Sequence, residues 1–127
     1  MAKAKILIVE DEVELAEMYK LRLEMEGYQV ELAHDGIIGS EKATTGDYDL
    51  IILDLLLPKK SGQEIYEEIK QSKNKTVPVI VLTALGNQRK KDFAKDVKWF
   101  LVKSECTLED VVKTVNEAVK ASNKVRI

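Results

Sequence analysis

The 127-residue chain contains one cysteine, Cys106, one histidine, His34, and only two prolines. A single thiol forms no internal disulfide and builds no multi-cysteine zinc site, and a single histidine excludes a histidine metal cluster. Long hydrophobic runs are missing too. The first, Ile6 to Val9, is too short for a secretory h-region or a membrane span. No charge sign dominates: 20 Lys and Arg face 22 Asp and Glu, a net charge of -2 without the basic excess of a nucleic-acid module. With 45% hydrophobic and 33% charged residues, disorder and low complexity are excluded as well. The expectation is one soluble domain of a reducing, cytoplasmic compartment. It spans residues 1–127, with a core from about 4 to 120 and a short basic tail at 121–127 that frays.

What is present is an alternation of short apolar runs with longer helical stretches. Ile6–Val9, Leu50–Leu53, Val77–Leu82 and Trp99–Val102 are rich in β-branched residues and read as strands buried on both faces. Tyr28–Leu32 alternates apolar and polar residues, which suits an edge strand. Between them, Leu15, Met18, Tyr19 and Leu23 recur at helical spacing, with Gly27 as a stop. Ser61 and Glu64 form a capping box ahead of Ile65 and Ile69. Thr107 and Asp110 form another, ahead of the stripe Leu108, Val111, Val112, Val115 and Val119. Ile37–Thr45 is a weaker helix containing Gly39, and Arg89–Asp96 the least defined one. Five strands alternating with helices imply an α/β domain, a parallel sheet with helices on both faces and right-handed crossovers.

In such sheets functional groups gather at the carboxyl ends of the strands. Those ends carry Glu10 and Asp11, then Asp54, Thr83 and Lys103. Each has an ordinary explanation on its own. Asp11 could cap the first helix, Glu10 and Glu12 could be solvated, and Lys103 could snorkel to water. Asp54, between four apolar residues and three leucines, is the hardest to dismiss, because a buried ionised carboxylate needs compensation. Together, clustered carboxylates need a counter-charge, and an oxygen-rich site with open positions suits Mg²⁺ working alongside phosphate. The set reads as a phosphoryl-transfer site with Asp54 as nucleophile.

Four ordered segments carry a resemblance over nearly the whole chain: Ile6-Leu-Ile-Val-Glu-Asp-Glu12, Asp54-Leu-Leu-Leu-Pro58 followed by Gly62, Val79-Ile-Val-Leu-Thr-Ala84 and Phe100-Leu-Val-Lys103. The chain resembles the receiver domains of two-component response regulators. That resemblance implies a CheY-like, flavodoxin-like three-layer sandwich with sheet order 2-1-3-4-5. It implies that Asp54 accepts a phosphoryl group from a sensor histidine kinase or histidine phosphotransfer protein. Asp11, Asp54 and the backbone carbonyl of Leu56 would ligate Mg²⁺, with Glu10 acting mainly through water. Lys103 would contact the phosphoryl group, and Thr83 and Phe100 would be the switch pair. The chain is expected to be a stand-alone switch, not an enzyme beyond its own phosphorylation and dephosphorylation. It would act on a downstream protein target without binding DNA or membrane, as a monomer or a phosphorylation-promoted dimer.

The chain departs from the family pattern after Lys103, where Ser104 replaces the usual proline joined by a cis peptide. Either this bond is trans and the loop rearranged, or cis is retained at a cost of roughly 2.5–4 kcal/mol. The stretch between Thr83 and Lys103 is shorter than usual, and Gly86 and Asn87 favour a mobile loop. His34 reads as a turn residue, Arg89-Lys-Lys91 as a solvated basic run. Trp99 and Phe100 must face opposite sides of a regular strand. Two other classes compete. One is a receiver-like interaction module that works without phosphorylation. The other is a flavodoxin-like nucleotide or flavin binder, which would want a glycine- or hydroxyl-rich loop where this chain has Glu-Asp-Glu.

Overall fold

The computed structural model describes residues 4–85 and 97–126. In chain order these form β1 (Lys5–Val9), α1 (Val13–Met25), β2 (Gln29–Ala33), α2 (Gly36–Thr45), β3 (Leu50–Leu53), α3 (Gly62–Lys70), β4 (Val79–Thr83), β5 (Trp99–Val102) and α4 (Leu108–Arg126). The expected helix at Arg89–Asp96, the loop at Gly86 and Asn87, and the basic run at Arg89–Lys91 lie outside the described residues. All strand pairs are parallel, in the order β2-β1-β3-β4-β5.

Strand alternation divides the core into two layers. Ile6, Ile8, Leu50, Ile52, Ile80 and Leu82 face α1 and α4, where Tyr19, Leu23, Val111, Val112 and Val115 close over them. Leu7, Val9, Ile51, Leu53, Val79 and Val81 face α2 and α3, against Ala43, Ile65, Tyr66 and Ile69. The near-continuous apolar runs follow, since a central parallel strand must satisfy both layers. Trp99 packs into the first layer and Phe100 into the second, so the two aromatics do face opposite sides.

Both capping boxes form. The Ser61 side chain accepts from the Glu64 N–H at 3.2 Å. Thr107 Oγ1 accepts from the Asp110 N–H at 3.1 Å, while Asp110 accepts from the Thr107 N–H at 2.8 Å. Gly27 ends α1 with φ 96°, in the left-handed region that a side chain disfavours. Gly39 in α2 is a packing requirement: a Cβ there would lie 2.6 Å from Val9 Cγ1, so its absence lets the helix approach β1.

Several expectations are corrected. β4 begins at Val79, not Val77. Pro78 stands just outside, where it lacks an N–H to donate but its carbonyl accepts from Ile51 N at 3.1 Å. Met18 is exposed, and Ala16 takes its place in the buried face of α1. Helix α4 runs to Arg126, so the segment expected as a tail begins within this helix. The Lys103–Ser104 bond is trans, because no cis peptide occurs among the described residues, and Lys103–Glu105 turns as a short 3-10 helix.

Candidate functional site

The site forms at the carboxyl edge of the sheet, where β1 and β3 end side by side and β5 ends one strand further on, beyond β4. β1 hands over to Glu10, whose N–H donates to the Ala33 carbonyl at 2.9 Å and so extends the β2 pairing by one residue. The Glu10 side chain is thereby turned inward and is only 2% exposed. One carboxylate oxygen accepts from the Glu12 N–H at 3.1 Å. Asp54, 4% exposed, is held by its own N–H on the Val9 carbonyl at 3.1 Å, and its Oδ1 accepts from the Leu56 N–H at 3.1 Å. Leu56 itself is exposed.

Lys103 follows directly from β5 and reaches across the strand ends. Its Nζ lies 2.5 Å from Glu10 Oε1 and 2.9 Å from Asp54 Oδ2. The snorkelling explanation is therefore set aside: the ammonium is an inward counter-charge for two buried carboxylates. Burial opposes its charge, yet hydrogen bonds to Glu10 and Asp54 prevail and hold it above the ordinary lysine range. Burial also raises the Glu10 carboxyl, against the opposing pull of Lys103 and the Glu12 amide.

Asp11 stays exposed, and it does not cap α1. Glu12 occupies the cap position and makes no side-chain cap bond. Carboxylate oxygens of Glu10, Asp11 and Asp54 all lie within 4.8 Å of one another. Three ionised carboxylates against one ammonium leave two negative charges, with oxygen donors only and an exposed side. That donor set fits a hard divalent cation such as Mg²⁺, with water completing its shell. Glycine-rich phosphate cradles are not what this edge offers, so the nucleotide- or flavin-binding alternative finds no support here.

Thr83 ends β4 beside Val102 of β5 and is fully buried; its hydroxyl accepts from the Leu85 N–H at 3.3 Å. Phe100 is half-buried in the α2–α3 layer with Leu85 and Val97. Thr83 therefore borders the acidic pocket, while Phe100 sits one strand over and away from it.

Sequence reading missed two supports and, for Gly62, the packing reason behind its place in the motif. Gly62 is indispensable because a Cβ there would lie 2.1 Å from the Asp54 carbonyl oxygen, and its N–H donates to Leu55 O at 3.0 Å. His34 places Nδ1 3.0 Å from the Glu10 carbonyl, bracing the loop after β1. Asp35 caps α2 by accepting from Ile37 N and Ile38 N, both at 2.9 Å. Asp35 carried a recognisable cap signal and Gly62 stood in the motif that follows Asp54, whereas the His34 contact joins residues 24 apart and carried none.

The response regulator receiver domain family matches residues 6–116. The chain belongs to that family. Among similar curated proteins, the receiver domain is 52% identical over 80 residues to the response regulator ArlR of Staphylococcus saprophyticus, covering 63% of this chain and 36% of that protein. It is 48% identical over 82 residues to the transcriptional regulatory protein CusR of Escherichia coli, covering 65% and 36%. The chain thus spans about a third of the length of the curated relatives it matches.

Solved structures agree on the fold of the receiver domain. A CheY-like receiver domain protein from Methanospirillum hungatei superposes with TM-score 0.87 at 25% identity, covering 98% of both chains. The response regulator TrrA from Thermotoga maritima, determined in complex with Mg²⁺-BeF, superposes with TM-score 0.80 at 33% identity, covering 93% of this chain and 99% of that one.

Proposed function

We infer that this receiver domain is a Mg²⁺-dependent phosphoacceptor, with Asp54 as the residue that is phosphorylated. The observation that carries the reading is the Lys103 bridge. A buried aspartate has one oxygen fixed by the Leu56 N–H and the other paired with an ammonium. This arrangement supports a reading in which Asp54 is the nucleophile and Lys103 the cation for phosphoryl oxygens.

In the proposed step an Asp54 carboxylate oxygen attacks phosphorus of a phosphohistidine on a sensor histidine kinase or phosphotransfer protein. The new P–O bond forms as the P–N bond breaks, and the imidazole leaves with the electron pair and regains a proton. Lys103 exchanges its contact with the Asp54 oxygen for one with the incoming phosphoryl oxygens. Glu10, Asp11, Asp54 and the Leu56 carbonyl would hold the cation, which neutralises the phosphoryl charge when bound. No side chain need remove a proton from the nucleophile, because a carboxylate is already ionised. The catalytic load is positioning and charge compensation.

Phosphorylation would then pull the Thr83 hydroxyl from the Leu85 N–H towards the phosphoryl group, repacking Phe100 at the β4–β5 edge. The output is a changed contact with a downstream protein target or with a second copy, made by a cytoplasmic domain that itself touches neither DNA nor membrane. In those relatives the matched portion is about a third of the protein.

Incubation with Mg²⁺ and acetyl phosphate, followed by intact mass, tests the reading. One labile phosphoryl group is expected, absent from Asp54→Asn and absent without divalent cation. An unmodified wild-type chain at saturating Mg²⁺ would instead support an interaction module that works without phosphorylation.

A further inference from the structure

A second feature lies at the opposite, amino-terminal edge of the sheet. There a cavity of about 340 Å³ opens between the end of α3, the starts of β4 and β5, and α4. It is lined by Tyr66, Trp99 and Pro78, and its charged groups are Lys70, Lys75 and Lys98. Among the described residues no carboxylate lines it, and none pairs with these three lysines.

The ammonium groups are nevertheless placed. Lys70 Nζ lies 5.2 Å from the centroid of the Tyr66 ring, and Lys98 Nζ lies 5.0 Å from that of Trp99. At that range the ring faces attract the cations without neutralising them. Elsewhere on the described surface, Lys5, Lys42, Lys59, Lys60 and Lys73 all find carboxylates. The carboxyl end of α3, which closes at Lys70, supplies only a partial negative charge. A net positive charge over an aromatic and apolar wall therefore remains. The volume stands at the lower end of small-molecule pockets, about 300–1,000 Å³. It admits one planar ring system with one charged group.

We propose that this cavity binds a small phosphorylated aromatic anion of the nucleoside monophosphate class, the base against Trp99 and Pro78 and the phosphate among Lys70, Lys75 and Lys98. The site is independent of the acidic pocket. Trp99 begins β5 and Lys103 follows its end, so the two are separated by about 13 Å at 3.3 Å per residue.

Trp99 is the only tryptophan, so its indole N–H gives a single reporter peak in a ¹H–¹⁵N spectrum. Titrating the whole chain with adenosine or guanosine monophosphate should shift that peak saturably. Adenosine alone and inorganic phosphate alone should each bind at least about tenfold more weakly, since each keeps only half of the interaction. Lys70→Gln with Lys98→Gln alters two exposed residues and should weaken the nucleotide by about tenfold or more while leaving the rest of the spectrum in place. Asp54→Asn should bind as wild type does. The proposal is overturned if no saturable shift appears at millimolar nucleotide, or if inorganic phosphate binds as tightly. It is equally overturned if the double lysine variant binds unchanged, or if Asp54→Asn abolishes the shift.

Discussion

Lys103 and Asp54, 49 residues apart in sequence, meet in a 2.9 Å ion pair at the carboxyl edge of the sheet. The same ammonium lies 2.5 Å from Glu10, so one lysine compensates two carboxylates whose side chains are 3–4% exposed. Most of the chemistry expected of this domain depends on that three-residue arrangement.

Replacing the lysine should reveal its weight. Lys103→Met leaves two buried carboxylates without a cation and should cost about 3–5 kcal/mol at neutral pH in chelator. Because burial raises the Glu10 carboxyl above its ordinary range, the native state takes up that proton more readily than the unfolded chain. Stability linked to Glu10 is thus present at low pH and lost as pH rises through the raised value. Urea unfolding should therefore show the deficit shrinking as pH falls from 7 towards 5, and shrinking again on adding Mg²⁺ at pH 7. A deficit indifferent to both would sink the idea.

Gly62→Ala addresses the backbone beneath the phosphoacceptor. The added methyl would meet the Asp54 carbonyl oxygen at 2.1 Å and Leu55 Cα at 2.6 Å, contacts that no rotamer change relieves. A loss of about 1–3 kcal/mol or more is expected, as for other overpacked sites. Mg²⁺ affinity should fall with it, since Asp54 must move. Wild-type values in both a denaturant melt and a cation titration would contradict this account.

Thr83 is where binding and signalling should separate. Its buried hydroxyl is bonded to the Leu85 N–H at 3.3 Å and is not part of the Lys103 bridge. Acetyl phosphate should therefore give Thr83→Ala the same mass increase as wild type, while the accompanying shift of the Phe100 ring resonances, read by NMR, shrinks severalfold. An undiminished shift would remove Thr83 from the switch.

The acid limb of stability has a different origin. The Tyr48 hydroxyl donates to Glu31, and this bond, ahead of the nearby Lys5 and Lys42, holds the Glu31 carboxyl below its usual range. A lowered carboxyl contributes stability above its unfolded value, near pH 4.3, and loses it as pH falls through the folded value. Tyr48→Phe should make thermal unfolding less sensitive to acid between about pH 4.5 and 2.5. The difference in Tm from wild type should be largest at neutral pH and narrow at the acid end. Parallel profiles would place the acid sensitivity elsewhere.

Much of this protein was legible before folding. Apolar runs mark four of the strands, because a strand covered by two layers has little freedom to carry polar residues, and alternation marks the edge strand β2. Capping signals at Ser61 and Thr107 mark helix starts, because they bond within three residues. The same local logic misplaced Met18, whose spacing fits α1's apolar stripe although the helix turns it outward. It also stopped at Ala121, where α4 continues to Arg126. Ranking the carboxylates was beyond it as well: Glu10, Asp11 and Glu12 are equivalent as letters, yet Glu10 is buried and the other two are exposed.

The sequence by itself determined the order of elements, the parallel sheet and the residue types that reach its carboxyl edge, since these follow from periodicity and from bonds between near neighbours. Only the tertiary structure decided that Lys103 faces inward to Glu10 and Asp54, that Gly62 lies against the Asp54 backbone, and that three lysines without a carboxylate partner among the described residues line one cavity with Trp99. Burial and charge compensation depend on segments brought together across tens of residues, and no local pattern carries that information.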